Sequence, residues 1–218
     1  MGRRFELIVF DWDGTLMDST GAIVNSIKAA AADLGIDPPS DERARHIIGL
    51  GLIDALRHAL PDLPAERYQD VALRYRHHYL AQDQDLLLFD GAEALIDELA
   101  DAGYMLAVAT GKTRVGLNRA FDVSGLGPRF HASRCADECH SKPHPQMLEE
   151  LMTEFGVAPE ATLMIGDTTH DLLMARNAGV AALGVAYGAH PRASLEAEVP
   201  LFCAANVEEL AQWLRQQA

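Results

Sequence analysis

The sequence predicts an α/β fold, a Rossmann-like core with a mainly parallel sheet and an inserted all-helical cap domain. Short apolar, β-branched runs that end in polar residues alternate with segments of helical periodicity, which is typical of parallel strands joined by helices. A stretch of about 70 residues after the first run has helical patterns and no convincing strand. With 218 residues, 49% of them hydrophobic, the chain is long enough for one domain with a sizeable insertion.

Four short apolar runs are the predicted strands of the core. They cover residues 7–10, 105–109, 163–165 and 181–186. Between them lie amphipathic segments that predict helices. One such segment ends at Gly103, and another covers residues 147–155 and ends at Gly156, in the position where glycine caps a helix.

The helical insertion is predicted to cover residues 16–84, and the core residues 1–15 and 85–218. Within the insertion, apolar residues recur at helical spacing, and prolines and glycines separate the helical patterns. A helical block placed between the first strand and the rest of an α/β domain indicates a cap.

The net charge of the chain disfavours some classes of binding partner. It has 18 Lys and Arg against 32 Asp and Glu, a formal net charge of −14, which disfavours nucleic acid and anionic membrane surfaces. Small anionic substrates are not excluded, because a cation can invert the field inside one cleft. No apolar run approaches the ~20 residues of a membrane span, and three cysteines suit a reducing compartment. We therefore expect a cytoplasmic monomer or homodimer.

Two carboxylates follow the first predicted strand. Asp11 and Asp13 are separated by Trp12, so in an extended segment both acids lie on one side and Trp12 on the other. Open α/β sheets bind ligands at this end of their strands. A calcium loop also begins Asp-x-Asp, but Leu16 and Ala22 occupy the positions where it needs Gly and Glu.

A hydroxyl and a glycine follow the second predicted strand, at Thr110 and Gly111. Gly111, Lys112 and Thr113 look like the end of a nucleotide-binding P-loop, but Leu106 stands where that motif needs a further glycine. A hydroxyl and a backbone amide just before a helix remain, and these can hold a phosphate. A plain strand-to-helix turn is the alternative.

Lys142 has an unusual predicted place. Pro143 suits the first turn of the helix over 147–155, so Lys142 would stand at the helix end that prefers anions. An ammonium and helix amides together can hold a phosphate between them. The alternative is a solvated surface lysine.

Two more carboxylates belong to the third predicted strand and the helix after it. Asp167 ends the strand and Asp171 lies one helical turn later, so both can face one oxygen-ligated divalent ion. With Asp11 they form a group of acids that repel one another unless a cation lies among them. Because the available ligands are oxygens, Mg²⁺ is the expected cofactor and phosphoryl transfer the expected chemistry.

A second metal-like pattern is weaker. Cys135, Cys139, His140 and His144 have spacings that zinc sites allow, but the segment contains Pro143 and leads into Lys142. We expect ordinary packing and solvation there rather than zinc. The adjacent His77 and His78 are expected on an exposed face of a cap helix.

The four motifs, in this order from Asp11 to Asp171, resemble the haloacid dehalogenase-like superfamily, and the helical block is similar to the cap of its phosphatase branch. The resemblance implies that Asp11 attacks phosphorus and forms an aspartyl-phosphate. It implies that Asp13 protonates the leaving alkoxide and then deprotonates the water that hydrolyses the intermediate. The dehalogenases of the superfamily lack this second Asp, so Asp13 favours a phosphatase.

The same resemblance implies how phosphate and metal are held. Thr110 and the Gly111 amide hold phosphoryl oxygens, and Lys142 balances charge on the phosphoryl group. The substrate is then a small phosphorylated metabolite. The implied Mg²⁺ ligands are Asp11, Asp13 through its backbone carbonyl, Asp167 and, directly or through water, Asp171.

Three phrases, at 10–19, 48–51 and 90–91, resemble phosphoglycolate phosphatase-like members of the superfamily. By this resemblance Gly49 and Gly51 belong to a cap loop that closes over the substrate, and a plain turn between two cap helices is the alternative. Candidates to bind a substrate carboxylate are the cap cations Arg45, Arg57, Arg74 and Arg76.

Two other functions stay open from the sequence. A phosphomutase of the β-phosphoglucomutase type would keep the aspartyl-phosphate and exclude water. A non-catalytic binding module would keep the fold without the chemistry, but all the expected catalytic positions are filled here. The favoured function is therefore Mg²⁺-dependent hydrolysis of a small phosphate monoester, 2-phosphoglycolate or another phosphorylated metabolite.

Overall fold

A computed structural model describes residues 4–218, so residues 1–3 of the predicted core lie outside the described part. Its core is one six-stranded sheet in which every pair of neighbouring strands is parallel. The strand order is β3-β2-β1-β4-β5-β6, that of a Rossmann-like doubly wound sheet. The strands are β1 Leu7–Phe10, β2 Met105–Thr110, β3 Ala132–Cys135, β4 Thr162–Gly166, β5 Ala181–Val185 and β6 Phe202–Ala204.

Helices connect the strands and cover both faces of the sheet. Those of the core are α5 Ala92–Asp101, α6 Arg114–Ser124, α7 Gln146–Phe155, α8 Thr169–Asn177, α9 Arg192–Ala197 and α10 Val207–Gln217. Short 3₁₀ turns lie at Ala65–Arg67, Asp83–Asp85, Gly127–Arg129 and Pro159–Ala161.

The buried strands explain the layered core, because their alternate residues face opposite sides. Ile8 and Phe10 belong to an apolar cluster with residues of α5, α6 and α10, whereas Leu7 and Val9 belong to a second cluster with residues of α7 and α8. Such continuous apolar strands are typical of parallel sheets that are covered on both faces.

Between β1 and α5 the chain forms a helical block with an apolar cluster of its own. Its helices are α1 Thr20–Asp33, α2 Asp41–His46, α3 Leu52–Ala59 and α4 Tyr68–Leu80. Ile27, Leu56 and Val71 are among the buried side chains of this cluster. The division into a cap domain at residues 16–84 and a core at 1–15 and 85–218 is retained as our proposal.

The segments that lead into and out of the helical block run side by side. Met17 pairs with Leu88 in an antiparallel bridge, and the Phe89 N–H donates to the Leu16 carbonyl over 2.9 Å. The helical block therefore joins the core through two adjacent, hydrogen-bonded segments.

The four predicted strands are confirmed, with β2 and β4 one or two residues longer than their apolar runs. Two further strands were not predicted. β3 contains Ser133 and Arg134 and is mostly half-buried, and β6 has only three residues. Both lie at the edges of the sheet, where strands carry no long apolar run.

The prediction that Pro143 lies in the first turn of the following helix is wrong. α7 begins at Gln146 and its N-cap is Pro145, so Lys142 stands in the loop before the helix rather than at its N-terminus. Lys142 is therefore placed by the loop, and its charge is balanced by carboxylates rather than opposed to the helix dipole.

Across residues 4–218 the structure contains no helix that combines the length and the apolarity needed to cross a membrane.

Candidate active site

The site lies at the carboxyl ends of the three central strands. In the sheet Phe10 of β1 pairs with Val108 of β2 on one side and with Ile165 of β4 on the other. The polar residues that follow these positions therefore come together at one edge. The strand order reverses direction beside β1, and doubly wound sheets bind ligands at such a reversal.

Three carboxylates meet at this edge. Asp11, Asp167 and Asp171 are all fully buried, and one oxygen of each lies within 4.8 Å of the others. Asp11 and Asp167 follow strands β1 and β4, and Asp171 lies in the first turn of α8. The predicted grouping of these acids is thus present in the folded chain.

Lys142 is the cation of this cluster. Its Nζ lies 2.8 Å from Asp11 Oδ1 and 2.6 Å from Asp171 Oδ1, and its side chain is completely buried. Burial lowers the pKa of the Lys142 ammonium, but Asp11 and Asp171 outweigh this effect and raise the pKa above its ordinary value. Lys142 is therefore charged at neutral pH.

One ammonium cannot balance three carboxylates. Burial raises the pKa of Asp11 to about 7, although Lys142 acts in the opposite direction. Burial also raises the pKa of Asp167 well above its ordinary value, and the charges of Asp11 and Asp171 add to this effect. With all three acids ionised, the cluster carries two unbalanced negative charges, which is the charge of one divalent cation.

The donor set fits a hard divalent cation. Neither carboxylate oxygen of Asp11 accepts an aligned hydrogen bond, although both are buried and Lys142 forms an ion pair with one of them. A buried carboxylate without hydrogen-bond donors is costly unless a cation faces it. Because all the ligand atoms are oxygens, Mg²⁺ suits this set better than a thiolate-seeking ion.

The other two carboxylates are oriented by hydrogen bonds. Asp167 accepts from Thr15 Oγ1 over 3.0 Å and from the Ala189 N–H over 2.7 Å. Asp171 Oδ2 accepts from the N–H and the hydroxyl of Thr168, the N-cap residue of α8. These donors hold the acids in place without neutralising them.

Asp13 faces a second, separate cation. Ser19 Oγ donates to Asp13 Oδ1 over 2.6 Å, and Lys112 Nζ lies 3.0 Å from the same oxygen. Lys112 also donates to the Tyr79 hydroxyl of α4 over 2.9 Å. Sequence reasoning missed this role of Lys112, since it considered the Gly-Lys-Thr trio only as a remnant of a P-loop.

The loop between α2 and α3 lies directly over the carboxylates. A Cβ on Gly49, which has φ = 91°, would lie 3.2 Å from Thr168 Oγ1 and 3.9 Å from Asp11 Oδ2. The Gly51 N–H donates to Ser141 Oγ over 2.9 Å, next to Lys142. This loop is a turn between two cap helices, and it is also closed over the site.

Thr110 and Gly111 lie beside this loop. Thr110 is buried at the end of β2, and its Oγ1 accepts a hydrogen bond from the Lys112 N–H. A Cβ on Gly111 would lie 2.6 Å from the carbonyl oxygens of Gly49 and Leu50, so the closed loop requires glycine there. The close approach of the cap loop therefore explains why glycine occupies this position.

Three histidines that the sequence did not indicate, His46, His170 and His190, contact one another beside this loop. His170 Nε2 and His190 Nε2 lie 2.7 Å and 3.1 Å from the carbonyl oxygen of His46 at the end of α2. Burial lowers the pKa of His190 to about 4, so its ring is neutral, and its Nδ1 accepts from the Thr169 N–H. His190 therefore donates through Nε2 to the cap.

The four residues of the predicted Cys and His pattern lie in different environments. Cys135 is buried in the core, and Cys139 lies 3.8 Å from Glu150. The rings of His140 and His144 lie 4.5 Å apart. On the cap, His78 lies 2.8 Å from Asp33 and is half-buried, whereas His77 is exposed.

The fold and the sequence together decide the family. The profile of a family described as haloacid dehalogenase-like hydrolase matches residues 8–185, which include the strand-end acids and the helical block. The chain belongs to the haloacid dehalogenase-like hydrolase family. The resemblance noted from the four motifs is thereby confirmed.

Two relatives and one solved structure illustrate the likeness. The chain is 39% identical over 201 residues to the probable phosphatase IndB of Dickeya dadantii, covering 89% of this chain and 86% of the relative. It is 30% identical over 188 residues to a phosphoglycolate phosphatase of Agrobacterium fabrum, covering 84% and 81%. A crystal structure of a predicted phosphoglycolate phosphatase from Haemophilus somnus has a TM-score of 0.87 and 23% identity, covering 97% of this chain and 99% of that one.

These comparisons confirm two predictions from the sequence. The fold is the α/β fold of haloacid dehalogenase-like structures, and the enzyme is a phosphatase, a phosphoric monoester hydrolase similar to phosphoglycolate phosphatases. The strand-end residues described above are therefore the candidates for its active site.

The raised pKa of Asp11 predicts a pH-dependent response to Mg²⁺. In the cation-free protein, the folded state holds a proton on Asp11 up to about pH 7, whereas the unfolded chain loses it near 3.8. Stability from this group is therefore present at low pH and lost as the pH rises through about 7. Mg²⁺ binds the ionised form, so we expect a larger rise in melting temperature with Mg²⁺ at pH 8 than at pH 5.

Asp11→Asn is the control for this measurement, because it keeps the size of the side chain but removes its titration. Its melting temperature should depend less on Mg²⁺ and on pH, both because this side chain no longer titrates and because Asp167 loses the neighbouring charge that helps to raise its pKa. Equal Mg²⁺ effects at the two pH values, or in the two proteins, would contradict the prediction.

Gly111→Ala should prevent closure of the cap loop, because the new Cβ would overlap the carbonyl oxygens of Gly49 and Leu50. We expect amide hydrogen exchange over residues 47–51 to become at least about tenfold faster. Gly21→Ala is the matched control, since nothing lies within 4 Å of its Cβ. Unchanged exchange in Gly111→Ala would show that the loop does not depend on this contact.

Proposed function

We propose that the enzyme is a Mg²⁺-dependent phosphatase that hydrolyses a small phosphate monoester through an aspartyl-phosphate on Asp11. One observation carries the proposal: the buried Asp11 carboxylate has no aligned hydrogen-bond donor and lies between Lys142 and two further carboxylates. A carboxylate left free in this way can attack phosphorus, provided that cations offset its charge and that of the phosphate.

The first step is an in-line attack by an Asp11 oxygen on phosphorus. The P–O ester bond breaks as the Asp11–phosphorus bond forms, and the Asp13 carboxylic acid gives its proton to the leaving alkoxide. Both described partners of Asp13 contact Oδ1, which leaves Oδ2 to carry this proton. Thr110 and the Gly111 amide hold phosphoryl oxygens, and Lys142 balances the charge that develops.

The second step returns the enzyme to its starting state. The Asp13 carboxylate accepts a proton from a water molecule, whose oxygen attacks the phosphorus of the aspartyl-phosphate. Inorganic phosphate leaves, and Asp11 is again a free carboxylate. The closed loop at Gly49 and Gly51 excludes bulk water from the first step and must open for the products to leave.

Mg²⁺ bound at this site supplies the positive charge that lets a carboxylate approach a phosphate dianion. The residues proposed to hold it are Asp11 and Asp167 through their carboxylates, Asp13 through its backbone carbonyl, and Asp171. Asp171, which also contacts Lys142 and Thr168, would hold the ion directly or through water.

The proposed substrates are small phosphorylated metabolites. The activity named for the Agrobacterium fabrum relative makes 2-phosphoglycolate one of the substrates to test. A cytoplasmic location and a monomeric or homodimeric state complete the proposal. The small number of cysteines supports the cytoplasmic location.

Asp11→Asn tests the nucleophile. We expect phosphate release from p-nitrophenyl phosphate to fall at least about 1,000-fold, because an amide cannot replace the attacking carboxylate. EDTA should abolish the wild-type activity, and added Mg²⁺ should restore it. The control is Asp122→Asn, an exposed aspartate on α6, which should keep wild-type turnover. Activity that survives Asp11→Asn or EDTA would refute the proposed mechanism.

Asp13→Asn tests whether Asp13 is the acid and base of the reaction while Asp11 is the nucleophile. Nitrophenolate is a stable anion that leaves without a proton, so Asp11 can still be phosphorylated from p-nitrophenyl phosphate. Hydrolysis of the aspartyl-phosphate then lacks its base. We expect a burst of about one nitrophenolate per enzyme in rapid mixing, followed by slow turnover. A uniformly slow reaction without a burst would assign a different role to Asp13.

A further inference from the structure

A large cavity opens beside Asp13, between the helical block and the core. Its volume is about 520 Å³, within the range of pockets that enclose drug-sized ligands. Apolar side chains form most of its wall, among them Ile23, Ile27, Ile47, Ile48, Leu52 and Leu80. Of the four proposed metal ligands, only Asp13 lines it.

If the proposed function holds, the position of this cavity beside Asp13 makes it the binding site of the leaving group. Asp13 must reach the ester oxygen that leaves, whereas the phosphoryl group lies at Asp11. The rest of the alcohol therefore extends from Asp13 into the cavity. A substrate in this position has its phosphate in the charged part of the site and its alcohol among apolar side chains.

Two cations on the wall of the cavity are already paired with acids of the same wall. Lys112 contacts Asp13 and Tyr79, and Arg119 forms two hydrogen bonds of 2.9 Å with Asp83. Neither cation is left unpaired to bind a substrate carboxylate, as 2-phosphoglycolate would require.

Of the four cap arginines that could bind a substrate carboxylate, one lines the cavity. Arg76 lines it, but this side chain is exposed to solvent; Arg45, Arg57 and Arg74 are not part of the wall. Arg57 instead binds Asp54 over 3.1 Å. Away from the exposed Arg76, a buried carboxylate would thus find mainly apolar walls and paired charges.

Two tyrosines contribute a flat aromatic part to the wall. The rings of Tyr75 and Tyr79 on α4 are stacked, with centroids 5.7 Å apart and an interplanar angle of 20°. Aromatic and branched aliphatic walls favour a ring-bearing ligand, which buries a large apolar area at little cost in conformational entropy.

We propose that the substrate is the phosphate monoester of a bulky, mainly apolar alcohol that carries a ring, and that this cavity binds the alcohol. Water and the ester react to give inorganic phosphate and the free alcohol. The P–O ester bond breaks, and the alcohol oxygen takes its proton from Asp13. The apolar cavity binds the alcohol part of the substrate, and the chemical steps at Asp11 are those of the proposed function.

The test compares 2-phenylethyl phosphate with ethyl phosphate and 2-phosphoglycolate. The first two are esters of primary alkanols of similar acidity, so the phenyl group is the main difference between them. Burial of a phenyl group is worth at least about 30-fold in kcat/KM. We expect 2-phenylethyl phosphate to exceed both other substrates by at least that factor, with Mg²⁺ present and phosphate release measured.

Two cavity variants locate the effect. Leu52→Gln and Leu80→Gln place polar groups in the wall, so each should reduce the preference for 2-phenylethyl over ethyl phosphate at least about fivefold. Leu73→Gln is the matched control, an exposed leucine of α4 outside the wall, and should keep the wild-type preference.

Each outcome separates the two proposals. If ethyl phosphate or 2-phosphoglycolate is hydrolysed as well as 2-phenylethyl phosphate, the assignment of the cavity is wrong while the phosphatase mechanism stands. An unchanged preference in both cavity variants overturns the assignment in the same way. If no substrate, including p-nitrophenyl phosphate, releases phosphate, the proposed function fails and the cavity assignment fails with it.

Discussion

The buried contact of Lys142 with Asp11 and Asp171 is the interaction on which the rest of the site depends. Taking charges out of water costs several kcal/mol per ion, and only close partners of opposite sign repay that cost. Here one ammonium faces three buried carboxylates, and when all three are ionised two negative charges have no partner in the folded chain. The excess charge makes the site receptive to a divalent cation and, through it, to a phosphate.

The helical block divides the space above the sheet into two environments. The loop at Gly49 covers the carboxylates, and His170 and His190 of the core contact the backbone carbonyl of His46 just before this loop. Beside it, the helices leave an apolar cavity whose floor includes Asp13. Asp13 therefore stands at the boundary between a charged compartment and an apolar one, which is where the proposed mechanism places the scissile oxygen of the ester. Lys112 links this acid to Tyr79 of the cap.

Parts of the fold were predictable because they depend on local patterns. The central strands are short, continuous apolar runs, and the acids that follow them share an edge in any parallel sheet. The edge strands β3 and β6 were missed because they are short and β3 is polar. The place of Lys142 was predicted for the wrong reason: it reaches the carboxylates from a loop rather than from a helix end, because α7 begins only at Gln146.

The sequence by itself determined which residues meet at the site, since strand ends and the first turn of a helix carry Asp11, Thr110, Asp167 and Asp171 to one edge. Tertiary structure alone decided three other features: the contact of Lys112 with Asp13, the histidines under the cap loop, and the apolar cavity. Lys112 also contacts Tyr79 of the cap, the histidines contact the backbone of the cap, and the cavity lies between the cap and the core. Their residues are far apart in the chain, and no periodicity records how two packed units face each other.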